Sequence, residues 1–270
     1  MKKIYYILSA LFLCVVATSA QEAGKTVVIK TNVGTMKAIL YDDVPNHTRT
    51  FIERAKRGDF NGTLFTRVLP EFMIQGGAPD SKNAPAGAKC GFGDPSAEIP
   101  PEINEKYFHK KGALSAARQG DNVNPKKESS GCQFYIVTGK VFNDSTLLGM
   151  ESQMNENKIN VIFNTLAQKH MKEIYKMRKA NDENGLYDLQ EKLFAEAQEM
   201  AAKQPEFHFT PEQIEAYTTV GGTPHLDGEY TVFGEVVKGL DIVDKIQQGK
   251  TDRSDRPEED VKITKVTILD

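Results

Sequence analysis

The sequence predicts a mainly β domain interrupted by an α-helical hairpin, and three observations carry that expectation. Short runs of β-rich, alternating residues bounded by turn residues fill much of 26–138 and return at 230–269. Between Phe142 and Gly222 the apolar spacing changes from two to between three and four, the helical period. The composition, 39% hydrophobic and 26% charged over 270 residues, suits a soluble globular protein with a sizeable core. A formal net charge of −3 gives no reason to expect nucleic acid or an anionic membrane as a partner.

Residues 1–20 stand apart from the rest. Lys2 and Lys3 precede an apolar run from Ile4 to Val16, and Ala17-Thr18-Ser19-Ala20 offers small residues before Gln21. That order predicts a secretory signal cleaved after Ala20, hence an exported and periplasmic protein whose domain begins at residue 24. The apolar run, about thirteen residues, falls short of the roughly twenty that span a bilayer. No other segment is long and apolar enough, so no membrane span is expected. Leu13 stands before Cys14 where a lipid-attachment site needs a small residue. Loss of Lys2 and Lys3 takes the formal charge from −3 to −5. Cys90 and Cys132 remain; in an oxidising compartment they can pair or stay free, and their spacing suits neither zinc nor a CxxC motif.

The elements follow in order. Val27, Ile29 and Thr31 alternate with Val28 and Lys30, and Asn32 to Gly34 makes a hairpin turn into Met36 to Tyr41. Pro45-Asn46 opens a helix with Asn46 or Thr48 as cap, Phe51, Ile52 and Ala55 inward, and Gly58 as its stop. Thr63 to Leu69 and Phe72 to Gln75 are short strands around Pro70. Gly76 to Lys111 reads as a long loop, its acids at Glu98 to Glu105 as surface residues. Gly112 to Ala117 and Phe134 to Thr138 are strands. After the helical segment come a turn at Asp227-Gly228, a strand from Tyr230 to Val237, a short helix from Leu240 to Ile246, and a closing strand from Val261 to Leu269.

The helical segment, at about 143–222, carries two stripes. Ile159, Ile162, Phe163, Leu166, Ile174 and Met177 form the first; Asn181 to Gly185 breaks it, and Leu186, Leu189, Leu193, Ala197 and Met200 form the second. Thr210-Pro211-Glu212 opens one more short helix. A hairpin inserted at a loop tip costs little, because closure entropy grows slowly with length. Self-packed decoration of the β domain and a docking surface for a protein partner are both open readings of it.

Phe65-Thr66-Arg67-Val68-Leu69-Pro70-Glu71-Phe72-Met73-Ile74-Gln75-Gly76-Gly77 is the stretch richest in chemistry. A cation, an amide and a thioether beside an aromatic ring make a groove rather than a proton-transfer site. On residue types alone, Arg67 reads as an ion-pair partner and Phe72 as core. The stretch nevertheless resembles the cyclophilin signature F-x-R-x-x-x-x-F-M-x-Q-G-G at every fixed position. Gly112 to Ala117, Ser130 to Ile136 (similar to G-S-Q-F-F-I) and Leu226 to Gly234 (similar to L-D-G-x-x-x-V-F-G) resemble further segments of that family in the same order.

The resemblance implies a closed eight-stranded antiparallel barrel capped by two helices, acting as a peptidyl-prolyl cis/trans isomerase on proline-containing polypeptides, with no cofactor. Position by position it implies that Arg67 donates to the prolyl nitrogen and that Gln75 orients the substrate. Phe72, Met73, Tyr135 and Leu226 would wall the proline pocket, and Gln133 with the Ala117-Arg118-Gln119 backbone would bind the peptide. Four positions depart from the best-known pattern. Tyr135 replaces phenylalanine and brings a hydroxyl that needs a partner. His225 replaces tryptophan, a change that bears on cyclosporin binding. Tyr230 stands where histidine is common, and Arg118 replaces asparagine. His47, His109, His170, His208 and His225 are scattered without ligand spacing and read as solvated or core residues.

Overall fold

The computed structural model describes residues 24–93 and 98–269. The signal expected at 1–20 lies outside the described residues. β1 (Thr26–Thr31) and β2 (Thr35–Leu40) form the predicted hairpin, with Val27, Ile29, Met36, Ala38 and Leu40 buried on one side. α1 (Pro45–Arg57) ends at Gly58, whose φ of 78° is the left-handed conformation a helix stop favours. Its start differs from the expectation. Val44 holds the cap position and Pro45 the first turn, which places Asn46 and Thr48 inside the helix. The missing acceptor comes from the long loop: Glu102 takes the amides of Asn46 and His47, each at 3.0 Å. One of the loop acids is therefore a distant helix cap.

β3 (Phe65–Leu69) and β4 (Met73–Gly76) follow, then β5 (Glu98–Ile99), β6 (Ala113–Ala116), β7 (Ser129–Ser130) and β8 (Phe134–Val137). The helices α2 (Asp144–Lys169), α3 (Met171–Ala180), α4 (Glu183–Ala202) and α5 (Pro211–Thr219) precede β9 (Val232–Lys238), α6 (Leu240–Gln247) and β10 (Ile263–Leu269). Eight strands form one antiparallel sheet in the order β10-β1-β2-β9-β6-β8-β4-β3, and β5 pairs with β7 in a separate two-residue ladder. Inside the curl of the sheet, Phe51, Phe60, Phe65 and Phe134 pack edge-on or tilted, with centroids 4.8–6.2 Å apart. α1 packs on β9 and β10, and α6 on β2, β3 and β4.

The sheet is an open half-barrel rather than the closed barrel expected. Its two edges meet around a bridge between Leu64 and Lys262, where Gly62 N–H donates to Ile263, Phe65 N–H to Val261 and Ile263 N–H to Thr63. Further along β3, Val68 donates to the carbonyl of Asp255, in an irregular segment. Asp255 itself has a φ of 63° and Pro257 lacks an amide, so this stretch cannot extend β10 into a full ladder.

Six α-helices occur among the described residues, and the insertion holds four of them, one more than the hairpin and short helix expected. The first stripe breaks at His170. Its amide closes α2 on Leu166 and Ala167, and its carbonyl receives the Glu173 amide that opens α3. The insertion has two apolar centres: Leu166, Leu189, Leu193 and Ala197 at its far end, and Leu147, Phe209 and Tyr217 beside the barrel.

Candidate active site

Cross-strand register brings most of the predicted residues together. Arg67 on β3 lies opposite Gln75 on β4, Gln75 opposite Tyr135 on β8, and Tyr135 opposite Ser115 on β6. Directly opposed residues share a sheet face, so these four form one row across it. Arg67 is exposed, with its guanidinium 5.9 Å from the centre of the Phe72 ring and its Nε 3.5 Å from the Asp255 carboxylate. Phe72 sits in the β3–β4 turn, where its carbonyl accepts the amides of Thr138 and Gly139. Its ring stacks against His225 at 5.6 Å. Met73 and Leu226 are buried below.

The Gln75 amide donates to Gln133 at 3.2 Å, joining the row to an adjoining groove. That groove, about 270 Å³, is lined by Gln75, Gln133, Ala117, Arg118, Gln119 and Phe92, among others. Phe92 is 74% exposed beside it, and nothing in the sequence marks it out. The Ala117 backbone is already engaged: its amide donates to Gln133 and its carbonyl accepts from Ser130. The Arg118 side chain does not face the groove as a free cation. It lies 4.4 Å over the Tyr230 ring and donates to the Glu229 and Gln119 carbonyls and the Asp121 carboxylate. It braces the loop instead.

The hydroxyl that Tyr135 adds finds its partner in His109, 2.9 Å away at Nε2. His109 Nδ1 faces Asp227 Oδ1 at 2.9 Å, which makes Nδ1 the protonated nitrogen and leaves Nε2 to accept from Tyr135. Burial holds the Tyr135 phenol well above its ordinary range, so it remains a donor. Asp227 also accepts the His109 amide at 2.8 Å, Gln213 Nε2 at 3.2 Å and the Tyr217 hydroxyl. This buried chain escaped the sequence reading, which left His109 as a bland histidine and Asp227 as a turn residue. The one available signal was the extra phenol at position 135. His225 lies below its ordinary pKa, chiefly through burial.

Among the described residues no three His, Cys, Asp or Glu side chains gather as a metal site, and Cys90 and Cys132 are free thiols. No described helix is long and apolar enough to cross a membrane.

Comparison with known proteins gives a consistent result. The family described as cyclophilin type peptidyl-prolyl cis-trans isomerase/CLD matches residues 26–188 and 156–268. A Streptococcus pyogenes protein named as a bifunctional phosphatase/peptidyl-prolyl cis-trans isomerase is 30% identical over 251 residues, which are 92% of this chain and 39% of that protein. A Staphylococcus saprophyticus protein named as a peptidyl-prolyl cis-trans isomerase is 28% identical over 90% of this chain and 91% of its own length. The crystal structure of a Cryptosporidium parvum cyclophilin, determined in the presence of the dipeptide Ala-Pro, shares the fold. Its TM-score is 0.51 at 18% identity, covering 91% of this chain and 99% of that one. The chain belongs to the cyclophilin-type peptidyl-prolyl cis-trans isomerases.

Proposed function

We propose that this isomerase assists the folding of exported polypeptides in the periplasm by clamping a proline beside Arg67 and favouring the twisted amide. The observation that carries the reading is the row of Arg67, Gln75 and Tyr135 across three strands, with the exposed guanidinium near the Phe72 ring.

Resonance imposes a barrier of about 18–20 kcal/mol on rotation of an X-Pro bond. No covalent bond to the substrate needs to form. What accelerates rotation is an environment more favourable to the twisted amide than to either planar form. When conjugation is lost, the prolyl nitrogen regains a lone pair, and a guanidinium close to it has an acceptor that neither planar isomer offers. Phe72, Met73, Tyr135 and Leu226 supply the apolar wall for the ring, with His225 and Tyr230 at its margin. Gln75, held by Gln133, orients the carbonyl, and the Ala117-Arg118-Gln119 segment lies along the peptide. Arg keeps its charge at every accessible pH, which suits the role better than Lys.

Exchange NMR on a short Ala-Pro peptide tests the reading. Removing one preorganised donor to a transition state costs roughly 100-fold or more, so Arg67→Ala should lose about that factor in kcat/KM. A wild-type rate in Arg67→Ala overturns the proposal.

A further inference from the structure

Asp227 is 8% exposed, and its carboxylate is surrounded by donors. Two come from His109, its amide and its ring Nδ1, both to Oδ1. The other two, to Oδ2, come from the inserted helix α5: Gln213 Nε2 and the hydroxyl of Tyr217, which is fully buried. A carboxylate offers about four acceptor positions, so α5 fills half of the shell of a buried charge. Gln213 is itself fixed, because its carbonyl oxygen accepts the Thr210 amide in the capping box that opens α5. Where α5 meets the barrel the packing has no slack. A Cβ added at Gly222 would lie 2.3 Å from the His109 carbonyl and 2.5 Å from the Tyr217 ring.

We propose that α5 is a positioning element of the proline pocket: Tyr217 and Gln213 fix the Asp227 carboxylate, and Asp227 fixes the Tyr135 ring through His109. The proposal rests on the reading that Tyr135 walls that pocket. Asp227 sets which His109 nitrogen carries the proton, and therefore that Nε2 is the acceptor for the Tyr135 hydroxyl. The same residue follows His225 and Leu226 in the chain, and the Thr223 amide that starts their turn donates to the His109 carbonyl at 2.9 Å. Two parts of the pocket wall therefore share one anchor, half of whose donors come from outside the barrel. Tyr217 and Gln213 touch no substrate; their effect on the reaction is indirect.

The test is a double-mutant cycle on the full mature chain, measured as kcat/KM by exchange NMR with an Ala-Pro peptide. Tyr217→Phe deletes one donor and keeps the ring. It should lower kcat/KM about fivefold in the wild-type background and less than about twofold in the Tyr135→Phe background, the non-additivity expected of residues acting along one chain of contacts. Equal effects in both backgrounds, or no effect in either, overturn the proposal. If Tyr217→Phe loses its native circular dichroism, Gln213→Met, which deletes the other α5 donor, is carried through the same cycle with the same criteria. Arg67→Ala in the same assay separates the two ideas. A wild-type rate there removes the pocket reading itself, whereas a crippled Arg67→Ala beside an unaffected Tyr217→Phe removes only the role of α5.

Discussion

Replacing Glu102 by alanine should destabilise the barrel by about 2–4 kcal/mol, although the residue lies in a loop more than fifty positions from the helix start it caps. Glu102 accepts the Asn46 and His47 amides at 3.0 Å each, the Asn46 side chain at 2.7 Å and the His47 ring Nδ1 at 2.7 Å. Loss of a helix-capping acceptor costs about 1 kcal/mol. A buried donor left without a partner adds about 1–3 kcal/mol. His47 is 3% exposed, and its Nε2 has no hydrogen-bond partner among the described residues, so the ring would lose its only one. For a domain of this size that corresponds to a fall in Tm of roughly 5–15 °C. Glu102→Gln keeps an oxygen acceptor without the charge. It should lose about half as much, since charge-assisted hydrogen bonds are about twice as strong as neutral ones.

The pair also makes stability sensitive to acid. Burial lowers His47 below its ordinary 6.5, with Glu102 pulling the other way. Burial pushes Glu102 up, but the His47 ring and the two amides outweigh it, and the carboxyl settles below its ordinary 4.5. Both groups are depressed in the fold, so both contribute stability that is present at neutral pH and lost on acidification. The His47 part fades below its ordinary 6.5 and the Glu102 part below its ordinary 4.5. Urea unfolding at a series of pH values reads both effects. A Glu102→Ala midpoint within about 0.5 kcal/mol of wild type, the range of an ordinary surface substitution, refutes the capping argument.

Two further outcomes follow from buried groups elsewhere. Burial, and for Tyr217 the Asp227 carboxylate as well, raises the phenols of Tyr135 and Tyr217. Ultraviolet titration of the native protein should leave both protonated at about pH 11, with ionisation appearing only on unfolding and stability falling above the ordinary tyrosine pKa of about 10. Arg256, 3% exposed, donates to the Pro85 and Ala88 carbonyls at 3.0 and 2.6 Å while paired with Asp260. Arg256→Ala should release that loop, so that limited trypsin digestion at Lys82 or Lys89 becomes much faster; an unchanged digestion pattern counts against the role.

Local pattern made the strands legible. Alternation at Val27, Ile29, Met36 and Ala38 and the turn residues around Pro70 place each strand of the main sheet within a residue or two, because a half-buried strand must alternate. The two-residue β5 and β7 are too short to alternate and read as loop. The row of Arg67, Gln75 and Tyr135 was legible through family resemblance in the two segments 65–77 and 130–136, not through residue chemistry, which favoured an ion pair and a core phenylalanine. Partnerships across long separations were not legible. Glu102 caps a helix from the far side of a loop, and Asp227 meets His109 across more than a hundred residues, so neither leaves a periodic trace. The break at His170 has no glycine or proline to announce it. The open seam was hidden for a similar reason: it depends on what occupies the outer edge of β3, and that is decided by Asp255 and Pro257 rather than by the strand itself.

The insertion leaves and rejoins the barrel at a narrow crossing, where Lys140 and Gly222 exchange hydrogen bonds of 3.2 and 3.0 Å. A second crossing lies further out, where the Asn155 side chain clasps both backbone groups of Phe207 and Lys158 reaches the Pro205 carbonyl. The segment therefore has two places where it can be cut, and they are not equivalent. Excision at the inner crossing removes Tyr217 with everything else and strips the barrel of a structural part. Excision beyond the outer crossing, at residues 159–204, takes α3, α4 and the far part of α2 and leaves α5 seated. The distal portion is an exchangeable cassette, open to truncation or grafting, while the proximal portion is barrel in all but sequence order.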